Sequence, residues 1–174
     1  MNRPTLLALA LFVLLPLTAY GAEAAKVDAE SPLENHERNI DRAAILSQKQ
    51  AIAQLDKLAK KYHGQPQEPT LLLKLAELYQ ELSSMEFRVS AFSGFSAANG
   101  NAKKPAMNFP SLQKAVATLK QLIARFPNHP EADRAYFLRG KSQEELGLKT
   151  AAAQDYIKTV TSYPDSPFVA PSYM

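Results

Sequence analysis

Cysteine is absent from all 174 residues. That excludes disulfides, zinc–thiolate sites and thiol catalysis. It also excludes a bacterial lipid anchor, which needs a lipidated cysteine at the cleavage site. No H-E-x-x-H, no G-x-S-x-G and no glycine-rich loop ahead of a helix occurs, so the frames of zinc peptidases, serine hydrolases and phosphate-binding loops are missing. His36, His63 and His129 never stand three or four residues apart, and His63 and His129 fall in turns, where imidazoles lack converging partners for a metal. Glu144 with Glu145, and Glu77 with Glu81, read as helix-surface carboxylates, because nothing in the pattern builds an apolar pocket to shift them. No catalytic, metal-binding or cofactor-binding residue is nominated, and no cofactor is expected.

Charge of one sign is also lacking. Lys plus Arg number 20 against 17 Asp plus Glu, a net charge of +3, with the two signs interspersed. A nucleic-acid surface needs a basic stripe interleaved with aromatics, so nucleic acid is not an expected partner. Nor is there an apolar run long enough to span a bilayer. The longest, Leu6 to Leu17, is about a dozen residues where a helix needs roughly 20.

That run has another reading. Arg3 precedes it, and Ala19-Tyr20-Gly21 or Ala22-Glu23-Ala24 follows with small residues at the −3 and −1 positions. This is the order of a cleavable secretory signal, here residues 1–21, leaving no stable membrane span after cleavage. Residues 22–30 read as a disordered linker. No N-x-S/T sequon occurs, which favours the bacterial periplasm over eukaryotic secretion.

What the chain does contain is a repeat. Tyr62-His63-Gly64-Gln65-Pro66, Phe126-Pro127-Asn128-His129-Pro130 and Tyr163-Pro164-Asp165-Ser166-Pro167 each carry an aromatic, turn-forming residues, and a proline four positions on. Upstream lie Ala51, Leu55, Leu58, Tyr62; Ala115, Leu119, Leu122, Phe126; and Ala152, Tyr156, Thr159, Tyr163. All three sets have the spacing 4, 3, 4 of a single helix face. The proline suits the first turn of the next helix, and His129 and Ser166 stand where an N-cap belongs. The later two copies are 37 residues apart and the first two 64, so the middle unit carries 27 extra residues.

With Asp133 as first position, Tyr136, Gly140, Gly147, Ala152, Tyr156 and Pro164 fall on an aromatic, a small residue, a turn glycine, an alanine, a second aromatic and a closing proline. In this order the segment resembles a tetratricopeptide repeat. Arg139, Gln143 and Thr159 depart from the usual Leu, Tyr and Ala. The F-P-x-x-P-E-A and Y-P-D-S-P spacing is similar to the repeats of bacterial cell-envelope proteins of this family, of the outer-membrane assembly lipoprotein and Tol–Pal-associated types. The missing cysteine argues against the assembly lipoprotein itself. The resemblance implies an all-α fold, a solenoid of antiparallel helix hairpins over residues 31–174. Gly140 and Ala152 would let paired helices approach closely, and Gly147 would end a helix with positive φ.

Ser31-Pro32-Leu33-Glu34 forms a capping-box signature, so the first helix should begin at Pro32. From there to Tyr62 neither Gly nor Pro intervenes, which permits one helix of about 30 residues, about 45 Å long, or a break near Ser47-Gln48. The insertion occupies about 83–109. Its first part, Ser83 to Phe92, can extend the preceding helix, whereas Ser93 to Asn108 has loop composition. Phe92, Phe95 and Phe109 either contact a partner or tuck back onto the helices. Pro167 to Met174 aligns with Pro130 to Phe137, so a further repeat starts and stops inside its first helix, as in a fragment or truncated product.

With no chemistry in view, a surface remains. The resemblance implies that the first helix of each hairpin lines a groove for other envelope proteins or peptides. Leu73, Glu77 and Gln80 would face it in one unit, and Arg134, Phe137, Lys141 and Glu144 in the next. A protein-binding scaffold is the leading expectation. An accessory domain of an exported enzyme, with its catalytic part beyond residue 174, is the alternative. The N-terminal reading is checked by intact mass of the periplasmic protein, which should begin at Ala22 or Ala25; a chain retaining Met1 refutes it.

Overall fold

The computed structural model describes residues 32–96 and 109–173. The expected signal peptide, the linker 22–30 and residues 97–108 of the insertion lie outside them. Five helices follow one another: α1 (Pro32–Lys61), α2 (Glu68–Ser96), α3 (Pro110–Arg125), α4 (Ala132–Glu145) and α5 (Lys149–Ser162), then a 3-10 turn, Ala170–Tyr173. All belong to one unit, Ser31–Met174. Among the described residues there is no strand, so the expected all-α repeat fold is what forms.

Each helix packs on the next in sequence, and α2 also touches α4 across the hairpin between them. The amphipathic sets seen in the sequence supply the contacts. Ala59, Leu72, Leu73, Ala76, Leu119, Leu122, Ile123 and Ala135 form one buried cluster drawing on α1 through α4. A second cluster joins Ile52 of α1 to Leu75 and Leu82 of α2. Burying such side chains stabilises the array by roughly 1.5–3 kcal/mol each. A helix of this size has little stability alone, so packing holds it.

The three aromatic turns share one hydrogen-bond ladder. Gln65, His129 and Ser166 donate their N–H to the carbonyls of Tyr62, Phe126 and Tyr163, at 3.0, 3.1 and 3.0 Å. Glu68, Ala132 and Val169 then donate to Gln65, His129 and Ser166, at 3.0, 3.0 and 3.1 Å. Leu71, Ala135 and Ser172 continue to Gln67, Glu131 and Phe168. The backbone therefore repeats at the offsets read from the side chains. It separates helices that end on the aromatic (trailing: α1, α3, α5) from those that begin after the turn (leading: α2, α4).

The ladder also corrects the proline assignment. Pro66 and Pro130 stand two residues before Glu68 and Ala132, the first residues of α2 and α4, instead of at the first helical position. The two successive tight turns use up those residues before the helix starts. Capping chemistry occurs within the turn: His129 Nδ1 accepts the Glu131 N–H at 3.2 Å and Ser166 Oγ accepts that of Phe168 at 3.1 Å. Pro110 does occupy the first position of α3.

Two open points are decided. α1 is a single helix of 30 residues with no break at Ser47-Gln48. α2 runs on to Ser96, so Ser93 to Ser96, expected as loop, are helical. Once a helix is nucleated, each added residue costs little, and no proline stops it before residue 96.

The hairpin α4–α5 bears the six marked positions. Gly147 has φ +77°, and the N–H groups of Gly147 and Leu148 donate to the carbonyls of Glu144 and Gln143, both at 2.8 Å, which closes α4 in a Schellman motif. A Cβ on Gly140 would lie 2.8 Å from the Tyr156 ring and 3.3 Å from the Ala152 carbonyl oxygen. Tyr136 and Tyr163 rings meet at 6.2 Å. Gly140→Ala gains about 1 kcal/mol of helix propensity but overpacks this contact by about 1–3 kcal/mol. A net fall in melting temperature of a few degrees is expected by calorimetry, and Gly140→Leu should lose the cooperative transition; an unchanged Tm for Leu would show the contact to be loose.

Candidate protein-interaction face

The leading helices α2 and α4 lie in contact, so their side chains form a shared face. The structure sorts the seven nominated residues into three kinds. Leu73 is a correction: it is 3 % exposed, inside the main core cluster, and does not line an open groove. It corresponds in the repeat to Phe137, but α2 has neighbours on more sides than α4, so the same position is sealed.

Glu77, Gln80 and Phe137 join one leading element to the next. Glu77 pairs with Arg134 of α4 and, at 3.2 Å, with Lys74. The Gln80 amide donates to the Leu138 carbonyl at 2.9 Å and to Ser142 Oγ at 2.6 Å. Phe137 stacks on Phe168 at 5.0 Å and lies 6.0 Å from Tyr156. These contacts set the pitch from hairpin to hairpin.

Arg134, Lys141 and Glu144 reach water. Arg134 also pairs with Glu131 at 3.1 Å. Glu144 accepts the Tyr156 hydroxyl at 2.8 Å, and burial, reinforced by that bond, pushes the Tyr156 pKa up. Lys141 is exposed.

Sequence reasoning missed two buried ion pairs. Arg139 at a position usual for Leu is matched by Asp155 on α5: its Nε and Nη2 donate to the two carboxylate oxygens at 2.7 and 2.5 Å. Thr159, the other departure there, donates to the Asp155 carbonyl at 3.0 Å. The signal was present as a paired departure, Arg139 with Asp155, one on each helix of the hairpin.

Glu68, the first residue of α2, is 1 % exposed. Both guanidinium nitrogens of Arg125 from the end of α3 reach it, Nη2 at 2.8 Å. The Gly64 N–H donates to it at 2.6 Å, and His63 Nδ1 lies 3.1 Å away. Gly64 can turn its amide inward because its φ is +76°. The α2 N-terminus favours the negative charge as well. Nothing in the spacing of residues 68 and 125 announces this partnership.

The insertion leaves an apolar notch of about 440 Å³, lined by Ser83, Ser84, Phe87, Arg88, Phe109 and Glu145. Phe109 packs edge-on against Phe87 at 6.0 Å, tucked back onto the helices. The side chains of Phe92 and Phe95 lie outside the described residues. Among the described residues no group of three or more His, Asp or Glu could hold a metal, and no helix is long and apolar enough to cross a membrane. His63 and His129 serve their own turns.

Antiparallel hairpins, a repeated aromatic turn and a glycine-mediated close approach define a helical-repeat protein. Residues 111–167, from α3 through the turn after α5, match the model of the family described as tetratricopeptide repeat. That supports membership of this family on about a third of the chain. No curated protein and no solved structure matches the sequence.

The Glu68 pair generates a pH dependence. The Arg125 hydrogen bonds, then the Gly64 amide, hold the Glu68 carboxyl below its ordinary pKa, against the opposing effect of burial. Its contribution is therefore full above the unfolded value of about 4.3 and is lost as pH falls through the lower folded value. Glu68→Gln should cost about 2 kcal/mol at neutral pH, and its Tm should fall less steeply than wild type on acidification below pH about 4.3. Thermal melts across pH 2–7 check this; parallel curves for the two proteins would refute it.

Proposed function

We propose that the protein is a periplasmic scaffold that holds other cell-envelope polypeptides along the face shared by α2 and α4. Repeats of this family generally mediate protein–protein interactions, and the matched segment includes α4. The observation that carries the reading is the division of labour on that face. Glu77, Gln80 and Phe137 are occupied in fixing the spacing of leading elements, while Arg134, Lys141 and Glu144 present both signs of charge to solvent on a backbone already in place. A preordered surface spares a binding partner the cost of ordering it. Export follows from the N-terminal apolar run behind Arg3.

Such a surface binds through several modest contacts, so single charges alter affinity without abolishing the fold. A photo-crosslinking residue at Lys141 in envelope extract should capture a partner, with Lys158 on α5 as control position. Lys141→Glu should reduce recovery by roughly fivefold, the effect of about 1 kcal/mol. Equal capture from Lys158, or recovery indifferent to Lys141→Glu, would move binding away from this face.

A further inference from the structure

A trailing helix has two sides to cover, one toward its own leading helix and one toward the leading helix that follows. On α5, Ala152 and Tyr156 meet Gly140 of α4, and Ala152 and Thr159 are buried. Their counterparts on α3, Ala115 and Leu122, are buried as well. The counterparts on α1 are Ala51 and Leu58. Ala51 is exposed and Leu58 is 42 % exposed. The other side of α1 is filled, with Ile52 and Ala59 buried among residues of α2. Helix α1 thus keeps the docking side of a trailing helix with no leading helix on it among the described residues.

That side continues along the helix. Ile40, Ala44, Ser47, Ala51, Gln54 and Leu58 follow at spacings 4, 3, 4, 3, 4, the seam of an antiparallel or parallel helix pair. All are exposed except half-buried Ala44, and Ile40 is 55 % exposed. The spacing reads the same from either end, with small residues in the middle and branched aliphatics at the tips. Charge then selects a direction. From Pro32 to Gln48 three carboxylates (Glu34, Glu37, Asp41) face two arginines; from Lys49 to Lys61 four lysines (Lys49, Lys57, Lys60, Lys61) face Asp56 alone. An antiparallel copy sets the acidic half against the basic half, whereas a parallel copy sets like against like.

We propose that this face is a homodimer interface, in which α1 packs antiparallel on α1 of a second copy about a two-fold axis near residue 49. Ile40 meets Leu58 of the second copy, and Ser47 meets Ala51. The small central residues let the axes approach, as Gly140 and Ala152 do within the hairpin. The second copy stands in the place of a leading helix, which also runs antiparallel to its trailing partner.

Sedimentation of the full chain should show a dimer, and Ala51→Arg or Leu58→Glu should raise its dissociation constant by about tenfold or more. Both positions are exposed, so far-UV circular dichroism should be unchanged. The chain has no native cysteine, which makes pairing readable. An equimolar mixture of Ile40→Cys and Leu58→Cys chains should form a disulfide-linked pair under mild oxidation. Ile40→Cys alone should not, since two residues 40 would lie about 27 Å apart along antiparallel helices. A monomer at every concentration, a dimer indifferent to both substitutions, or self-linking of Ile40→Cys would each overturn the proposal.

Discussion

Every trailing helix in this chain carries apolar residues on two sides, and only leading helices of the same array are shaped to cover them. From this constraint the packing follows. Helix α3, between α2 and α4, has both sides covered, and Leu112, Ala115, Leu119 and Leu122 are essentially inaccessible. Helices α1 and α5 stand at the ends and each has one side covered. Ile157 on α5 is 62 % exposed for the same reason that Leu58 on α1 is. Stability in such an array is a sum over neighbours, so an end helix is a different physical object from a central one even when its residues are the same.

The polar pairs refine this frame without replacing it. Glu68 with Arg125 ties the start of α2 to the end of α3, and Arg139 with Asp155 ties α4 to α5. Each puts a carboxylate out of water and compensates it with two guanidinium hydrogen bonds. An unpaired charge at either place would cost far more than the pair contributes, so the two pairs dictate which surfaces can meet. Gln80, bonded to a carbonyl and a hydroxyl on α4, does the same for neighbouring leading helices.

Function in this architecture resides on whatever the packing leaves over. Leu73 and Phe137 occupy equivalent positions, yet one is sealed in the core and the other is partly open against Phe168. Repeat position alone therefore does not identify a contact residue. The number of neighbours its helix has decides whether the position is interior or surface.

The sequence by itself determined the helical class, the unit boundaries at the aromatic turns, the role of Gly147 and the close approach at Gly140. These depend on local spacing, on left-handed backbone that glycine alone enters easily, and on side-chain size, all of which are written residue by residue. It did not determine that α1 is unbroken, that α2 runs on to Ser96, that the prolines stand two residues before their helices, or that Leu73 is buried. Nor did it reveal Glu68 beside Arg125, 57 residues apart. Those outcomes were decided by the tertiary structure, because burial and long-range ion pairing depend on which helices are neighbours in space, and the free energy of a side chain there belongs to the whole array.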